Sequence, residues 1–97
     1  MGTMRTIELV ARVTPDSAQA LWYELENGLE SAGGKGAISL NAAAVRHLSA
    51  AALQVLLVAS RRAERDGTRL KIVSPSPEFV ESLRLMGASA LVAEGRS

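Results

Sequence analysis

Cysteine is absent from the 97 residues, and histidine occurs once. Without thiols there is no disulfide, thiolate nucleophile, zinc finger or iron–sulfur cluster, and a single imidazole excludes metal sites that need two. Aromatic residues are as scarce. Trp22, Tyr23 and Phe79 are the sole examples of their kinds, too few for a base-stacking platform or a large aromatic ligand pocket. Long apolar runs are missing as well. The densest, Ala50 to Ala59, contains Gln54 and falls well short of the roughly 20 apolar residues of a membrane span. Near the N-terminus, Glu8 and Arg12 interrupt the apolar run, so no signal-peptide core forms. The expectation is a cytoplasmic protein without direct membrane insertion. Met1-Gly2-Thr3-Met4-Arg5-Thr6 fits the myristoylation pattern, but so short a pattern recurs by chance, and an ordinary chain start explains it as well.

What is present has a globular composition: 47% apolar residues, 22% charged and a formal net charge of +1. A chain of this length supports one hydrophobic core and is too short for two, so residues 1–97 are expected to form a single domain. Poverty in catalytic groups and near-neutrality together favour a regulatory or binding module over an enzyme.

Thr6 to Val13 alternates, with Ile7, Leu9, Ala11 and Val13 on one face, which is the period of a half-buried strand. Thr14-Pro15-Asp16-Ser17 then supplies a capping hydroxyl, a proline suited to the first helical position and an acid near the positive helix end. A first helix follows, with Leu21, Trp22, Leu25 and Leu29 at helical spacing, and closes at Gly33-Gly34. It carries four acids and no base. Ala37-Ile38-Ser39-Leu40 reads as an interior strand, and Asn41-Ala42-Ala43-Ala44 as a connection running on through Val45-Arg46-His47-Leu48. Alanine's helix preference competes with that reading. Ser49 is placed to cap a second helix from about Ala50 to Asp66, closed by Gly67. Leu70-Lys71-Ile72-Val73 is a further strand. Ser74-Pro75-Ser76-Pro77-Glu78 repeats the cap, proline and acid signal for a third helix with Phe79, Val80, Leu83, Leu85 and Met86, ending at Gly87. Ala90-Leu91-Val92 adds an edge strand or a fragment of helix. Strands alternating with helices predict an α/β fold with a mixed or parallel β-sheet flanked by α-helices.

Sites for chemistry are few. Gly34-Lys35-Gly36 precedes a strand, whereas phosphate cradles follow one and open a helix, so no nucleotide fingerprint exists. His47 and Ser49 have no nearby acid to orient the imidazole. Arg61, Arg62, Arg65, Arg69 and Lys71 make a basic patch, but Glu64 and Asp66 interrupt it, and arginines near a helix's negative end are explained without nucleic acid. No catalytic residue, cofactor or metal ligand is assigned.

The second helix is the unusual element. At 100° per residue, Leu53, Leu56, Leu57, Ser60 and Ala63 form the expected core stripe, while Ala51, Val55 and Val58 fall on or near the opposite side beside Gln54 and Arg62. The extra apolar residues either pack beneath a neighbouring helix or form an exposed patch for a partner.

Ala37-Ile38-Ser39-Leu40-Asn41, Val45-Arg46-His47-Leu48-Ser49-Ala50-Ala51-Ala52-Leu53-Gln54-Val55-Leu56-Leu57 and Gly67-Thr68-Arg69-Leu70-Lys71-Ile72, taken in order, resemble the STAS domain, the family of anti-sigma factor antagonists and sulphate-transporter tails. The resemblance spans nearly the whole chain. It implies a STAS-like central sheet flanked by helices and a function of docking on a protein partner, commonly a serine or histidine kinase-like regulator, with phosphorylation breaking the complex. In the family the loop before the second helix reads Asp-Ser-Ser-Gly or Asp-Thr-Ala-Gly, and the hydroxyl after the Asp accepts phosphate. Here the matching residues are Ser49, Ala50, Ala51 and Ala52. The acceptor position is Ala50, the Asp is Ser49, and a second acidic position is Asn41. The expected phospho-switch is therefore absent or altered, with Ser49 as the remaining candidate for phosphorylation.

The partner-binding residues expected from the resemblance and the helical wheel are Ser49, Ala50, Ala51, Gln54, Val55 and Val58. The resulting expectation is a non-catalytic regulatory module of bacterial signalling, anti-sigma factor antagonist-like or associated with chemotaxis or two-component systems. The alternative is a subunit docking on the ATPase of a lipid or anion transport system, where similar short STAS proteins sit.

Overall fold

Alternating strand and helix signals become a small parallel sheet with helices packed on it. The computed structural model describes residues 4–34 and 36–91. The elements run β1 (Met4–Glu8), β2 (Arg12–Val13), α1 (Pro15–Ala32), β3 (Ala37–Asn41), β4 (His47–Leu48), α2 (Ala50–Asp66), β5 (Arg69–Val73) and α3 (Pro77–Leu85). β1, β3 and β5 form one sheet in the order β1-β3-β5, and β2 and β4 form a second. All the described pairings are parallel. Register places Ile7 beside Leu40 and Leu40 beside Ile72, so one apolar rung crosses all three strands of the larger sheet. Parallel strands need a crossover between them, which α1 and α2 provide.

The strand expected over Thr6 to Val13 is broken in two. Leu9 N–H still reaches Asn41 O at 3.0 Å, but beyond it β3 has ended. The partner for the next residues is β4, and the Ala11 carbonyl accepts from both Arg46 N–H (2.7 Å) and His47 N–H (3.0 Å). Ile7, Leu9 and Val13 are buried as the alternation requires, whereas Ala11, at the break, is exposed.

The alanine-rich connection is a tightly held loop rather than a helix. Asn41 Oδ1 accepts from Ala43 N–H at 2.9 Å, the side-chain turn that asparagine favours. Ala42 donates to Val73 O and accepts from Ser76 N–H, both at 3.1 Å, and Ala42 and Val45 are fully buried. Alanine's helix preference, a few tenths of a kcal/mol per residue, yields to these tertiary bonds.

Each helix starts at a hydroxyl. Thr14 accepts from Ser17 N–H, Ser49 from Ala52 N–H and Ser76 from Phe79 N–H, with Pro15 and Pro77 in the first turns of α1 and α3. α1 and α2 close at Gly33 and Gly67, both left-handed, a conformation that costs glycine little. The two ends also touch. A Cβ on Gly34 would lie 2.7 Å from Asp66 O, and one on Gly67 would lie 3.3 Å from Gly34 O.

α1 and α2 pack along one another and over the sheet, and α3 lies against β4. The core joins Leu21, Leu25 and Leu29 of α1, Ile38 and Leu40 of β3, Leu53 and Leu56 of α2, and Phe79 and Leu83 of α3. The inward stripe of α2 is Ala52, Leu53, Leu56, Ala59 and Ala63, with Leu57 and Ser60 only partly buried. Relative to the expected stripe it is rotated toward the alanines. On α3 only Phe79 and Leu83 are buried, and Val80, Leu85 and Met86 are exposed. Ala90 and Leu91 lie in a helical turn, while Val92 lies outside the described residues.

Candidate functional site

The expected docking residues come together because the chain enters α2 from a strand that is pinned on one side. Ser49 N–H donates to Val13 O at 2.9 Å, Leu48 is buried beneath it, and Leu53 N–H closes the first helical turn on Ser49 O at 3.0 Å. With the backbone held so, Ser49 is half-buried, Ala50, Ala51 and Gln54 are exposed, and Val55 is half-buried. Val58 continues the same side, 49% exposed. Ala51, Gln54, Val55 and Val58 share one side of the N-terminal half of α2, and Ser49 and Ala50 lie at its start. This surface is small-sided and uncharged, which permits close approach of another backbone.

The hydroxyl of Ser49 accepts from Ala52 N–H at 3.1 Å, so it satisfies one of the amides that the helix start leaves open. Ala50, the expected acceptor position, has no hydroxyl. Asn41, at the second acidic position, is engaged in its own turn with Ala43. His47 is exposed, and its backbone rather than its ring is tied down. Among the described residues no three His, Asp or Glu side chains gather where they could hold a metal ion. On α3, the hydrogen bond from Arg84 holds the Glu81 carboxyl below the ordinary glutamate range, with the charge of Arg84 acting in the same direction.

The start of α2 is braced from α3. Ser76 Oγ donates to the Val45 carbonyl while accepting from Phe79 N–H at 3.0 Å, so the loop before β4 and the start of α3 share one buried hydroxyl. Between them lies an open hollow of about 340 Å³, lined by Ala43, Ala44, Arg46, Ser76, Pro77 and Glu78 among others. Sequence reasoning missed this brace, since Val45 and Ser76 are 31 residues apart.

The basic patch is divided by the fold. Arg69 and Lys71 lie on β5, whereas Arg61, Arg62 and Arg65 line an open hollow of about 710 Å³ with Val58 and with Trp22 of α1. Arg62 is held by Glu26 of α1 and by Asp66, each at 3.7 Å. The signal for this grouping was present in the spacing, because residues 58, 61, 62 and 65 share one face of a helix. The partner, Trp22, was not legible.

Three comparisons bear on the arrangement. Residues 2–93 match the family described as "Mlab, STAS domain". The fold is similar to the solved structure of the anti-sigma factor antagonist SpoIIAA in its unphosphorylated form, with a TM-score of 0.72 and 13% sequence identity over 90% of this chain and 75% of that one. No curated protein matches the chain in sequence.

Proposed function

The chain belongs to the STAS domain family, and from that premise we propose that residues 1–97 form a single non-catalytic, protein-binding module of bacterial signalling. It acts in the cytoplasm as an anti-sigma factor antagonist-like protein or in a chemotaxis or two-component system, and its partner is a serine or histidine kinase-like regulator. The observation that carries this reading is the exposed, uncharged start of α2, formed by Ala50, Ala51 and Gln54 beside Val55 and Val58.

Control by phosphate is absent or altered. A phosphate adds about −1.5 to −2 charges and three acceptor oxygens, enough to reverse docking on an acidic or apolar surface. Ala50 cannot carry it. Ser49 is the one hydroxyl in the stretch from Ser49 to Ala52, and its lone pair already serves the Ala52 amide.

The test is titration of the protein against kinase-like regulators encoded beside it, with and without ATP. Binding is expected, weakened at least tenfold by Ala51→Glu or Val55→Glu, about 1.4 kcal/mol or more, and unaffected by ATP. A phosphate found on Ser49 by mass spectrometry, with release of the partner, would place the switch one residue early. No binding to any candidate, together with indifference to Ala51→Glu, would sink the docking reading.

A second reading keeps the surface and changes the partner to the ATPase of a lipid or anion transport system. It is favoured by the family match itself, which carries the Mlab description rather than that of an anti-sigma factor antagonist. Co-purification with an ATPase and its permease, lost on Ala51→Glu, is its expected outcome.

A further inference from the structure

The outward stripe of α2 changes character along its length. Counting 100° per residue, Ala51, Gln54, Val55, Val58, Arg61, Arg62 and Arg65 all fall within one face about 120° wide. Its first half is small and uncharged, and its second half carries three guanidiniums. Arginines near the negative end of a helix are favourable in themselves. That does not account for what faces them across the helix pair.

Trp22 of α1 lies half-buried beside Val58, and these two side chains with Arg61, Arg62 and Arg65 surround the 710 Å³ hollow. Arg62 is already neutralised by Glu26 and Asp66. Arg61 and Arg65 are exposed and, among the described residues, form no ion pair. An apolar floor with two uncompensated cations above it complements a ligand that has both an apolar side chain and carboxylates. The chain as a whole carries only +1, too little to favour a polyphosphate backbone.

We propose that the hollow formed by Trp22, Val58, Arg61 and Arg65 is a second docking site, and that its occupant is an acidic, amphipathic segment of a protein partner. The segment seats an apolar side chain against Trp22 and Val58 and places its carboxylates on Arg61 and Arg65, where guanidiniums bind bidentately. The two sites share Val58 at their border and otherwise lie apart along α2, Ala51 and Arg65 being separated by about 20 Å of helix, and the experiment uses no kinase or ATPase.

Trp22 is the sole tryptophan in the chain, so its emission reports the hollow directly. The probe is a tryptophan-free, capped peptide of about four helical turns with Glu and Leu at i, i+3 and i+4 spacing. A saturable shift of Trp22 emission is expected, weakened at least tenfold in Arg61→Gln/Arg65→Gln and further reduced by salt. Circular dichroism confirms that the variant keeps its fold. Parallel arms use the same peptide with Lys for Glu, phosphatidylglycerol vesicles, and inorganic phosphate. No saturable shift with the acidic peptide, equal binding of the lysine peptide, or undiminished binding by the double variant overturns the proposal. Arginine-dependent binding of the vesicles without binding of the peptide replaces it with a membrane surface, and arginine-dependent binding of phosphate alone reduces it to an anion site.

Discussion

Ser49 Oγ accepts the Ala52 amide at 3.1 Å, and Ser76 Oγ accepts the Phe79 amide while donating to Val45 O. Ser49 was legible as a cap, and Ser76 as part of the cap signal from Ser74 to Glu78, because a cap depends on neighbours within three residues and on nothing farther away. The second bond of Ser76 was not, since it joins two loops that only the folded chain brings together. Replacing Ser49 by Ala is expected to cost about 1 kcal/mol of stability, and Ser49→Asp almost nothing, because aspartate caps as well as serine does. Urea denaturation of the two variants checks this. Equal loss in both would mean that the Ser49 hydroxyl is held by something other than the helix start. Should Ser49→Asp fold normally yet fail to bind a partner that the wild type binds, charge at this residue regulates docking.

At the scale of elements, the contact between α1 and α2 depends on what their surfaces lack. Ala52, Ala59 and Ala63 are buried on α2, and Gly34 sits where a side chain would strike the Asp66 carbonyl at 2.7 Å. Gly34→Ala is expected to destabilise by about 1–3 kcal/mol through that clash and a φ of +81°. Gly33→Ala, with a φ of +57° and nothing within 4 Å of the added carbon, should cost less. Thermal denaturation of the pair separates the close approach from the backbone conformation, and equal losses would assign both to conformation alone. Helix limits were readable in advance from Thr14, Ser49, the signal from Ser74 to Glu78 and the closing glycines. Which face of α2 turns inward was displaced toward Ala52 and Ala59, because helical periodicity marks a hydrophobic stripe without saying how near the next helix comes. Likewise the strand over Thr6 to Val13 has one continuous alternation but two partners, and alternation carries no information about where a partner strand ends. On α3, the exposed Glu81–Arg84 pair supports folding above the ordinary glutamate value, and that support is lost as pH falls through the lowered value of Glu81.

For the whole molecule, one apolar cluster runs from Leu25 and Leu29 on α1 through the sheet to Phe79 and Leu83 on α3, with Trp22 packed at its edge. Such continuity predicts a single cooperative unfolding transition. Trp22 fluorescence and far-ultraviolet circular dichroism should therefore give coincident curves, and Phe79→Ala, which empties a fully buried position, should shift both together by about 3–5 kcal/mol. Separate transitions would contradict the reading of residues 1–97 as one domain. The sequence by itself determined the α/β class, the helix starts and stops, the absence of thiols and the absence of a hydroxyl at Ala50, all of which follow from residue identity or from spacing within a few turns. Only the tertiary structure decided that the first strand divides between two sheets, that Ser76 braces the loop leading to α2, and that Trp22 meets Val58, Arg61 and Arg65. Those contacts join residues many positions apart, and their geometry follows from how closely two helices pack over a sheet, a property of the assembled core that no local pattern contains.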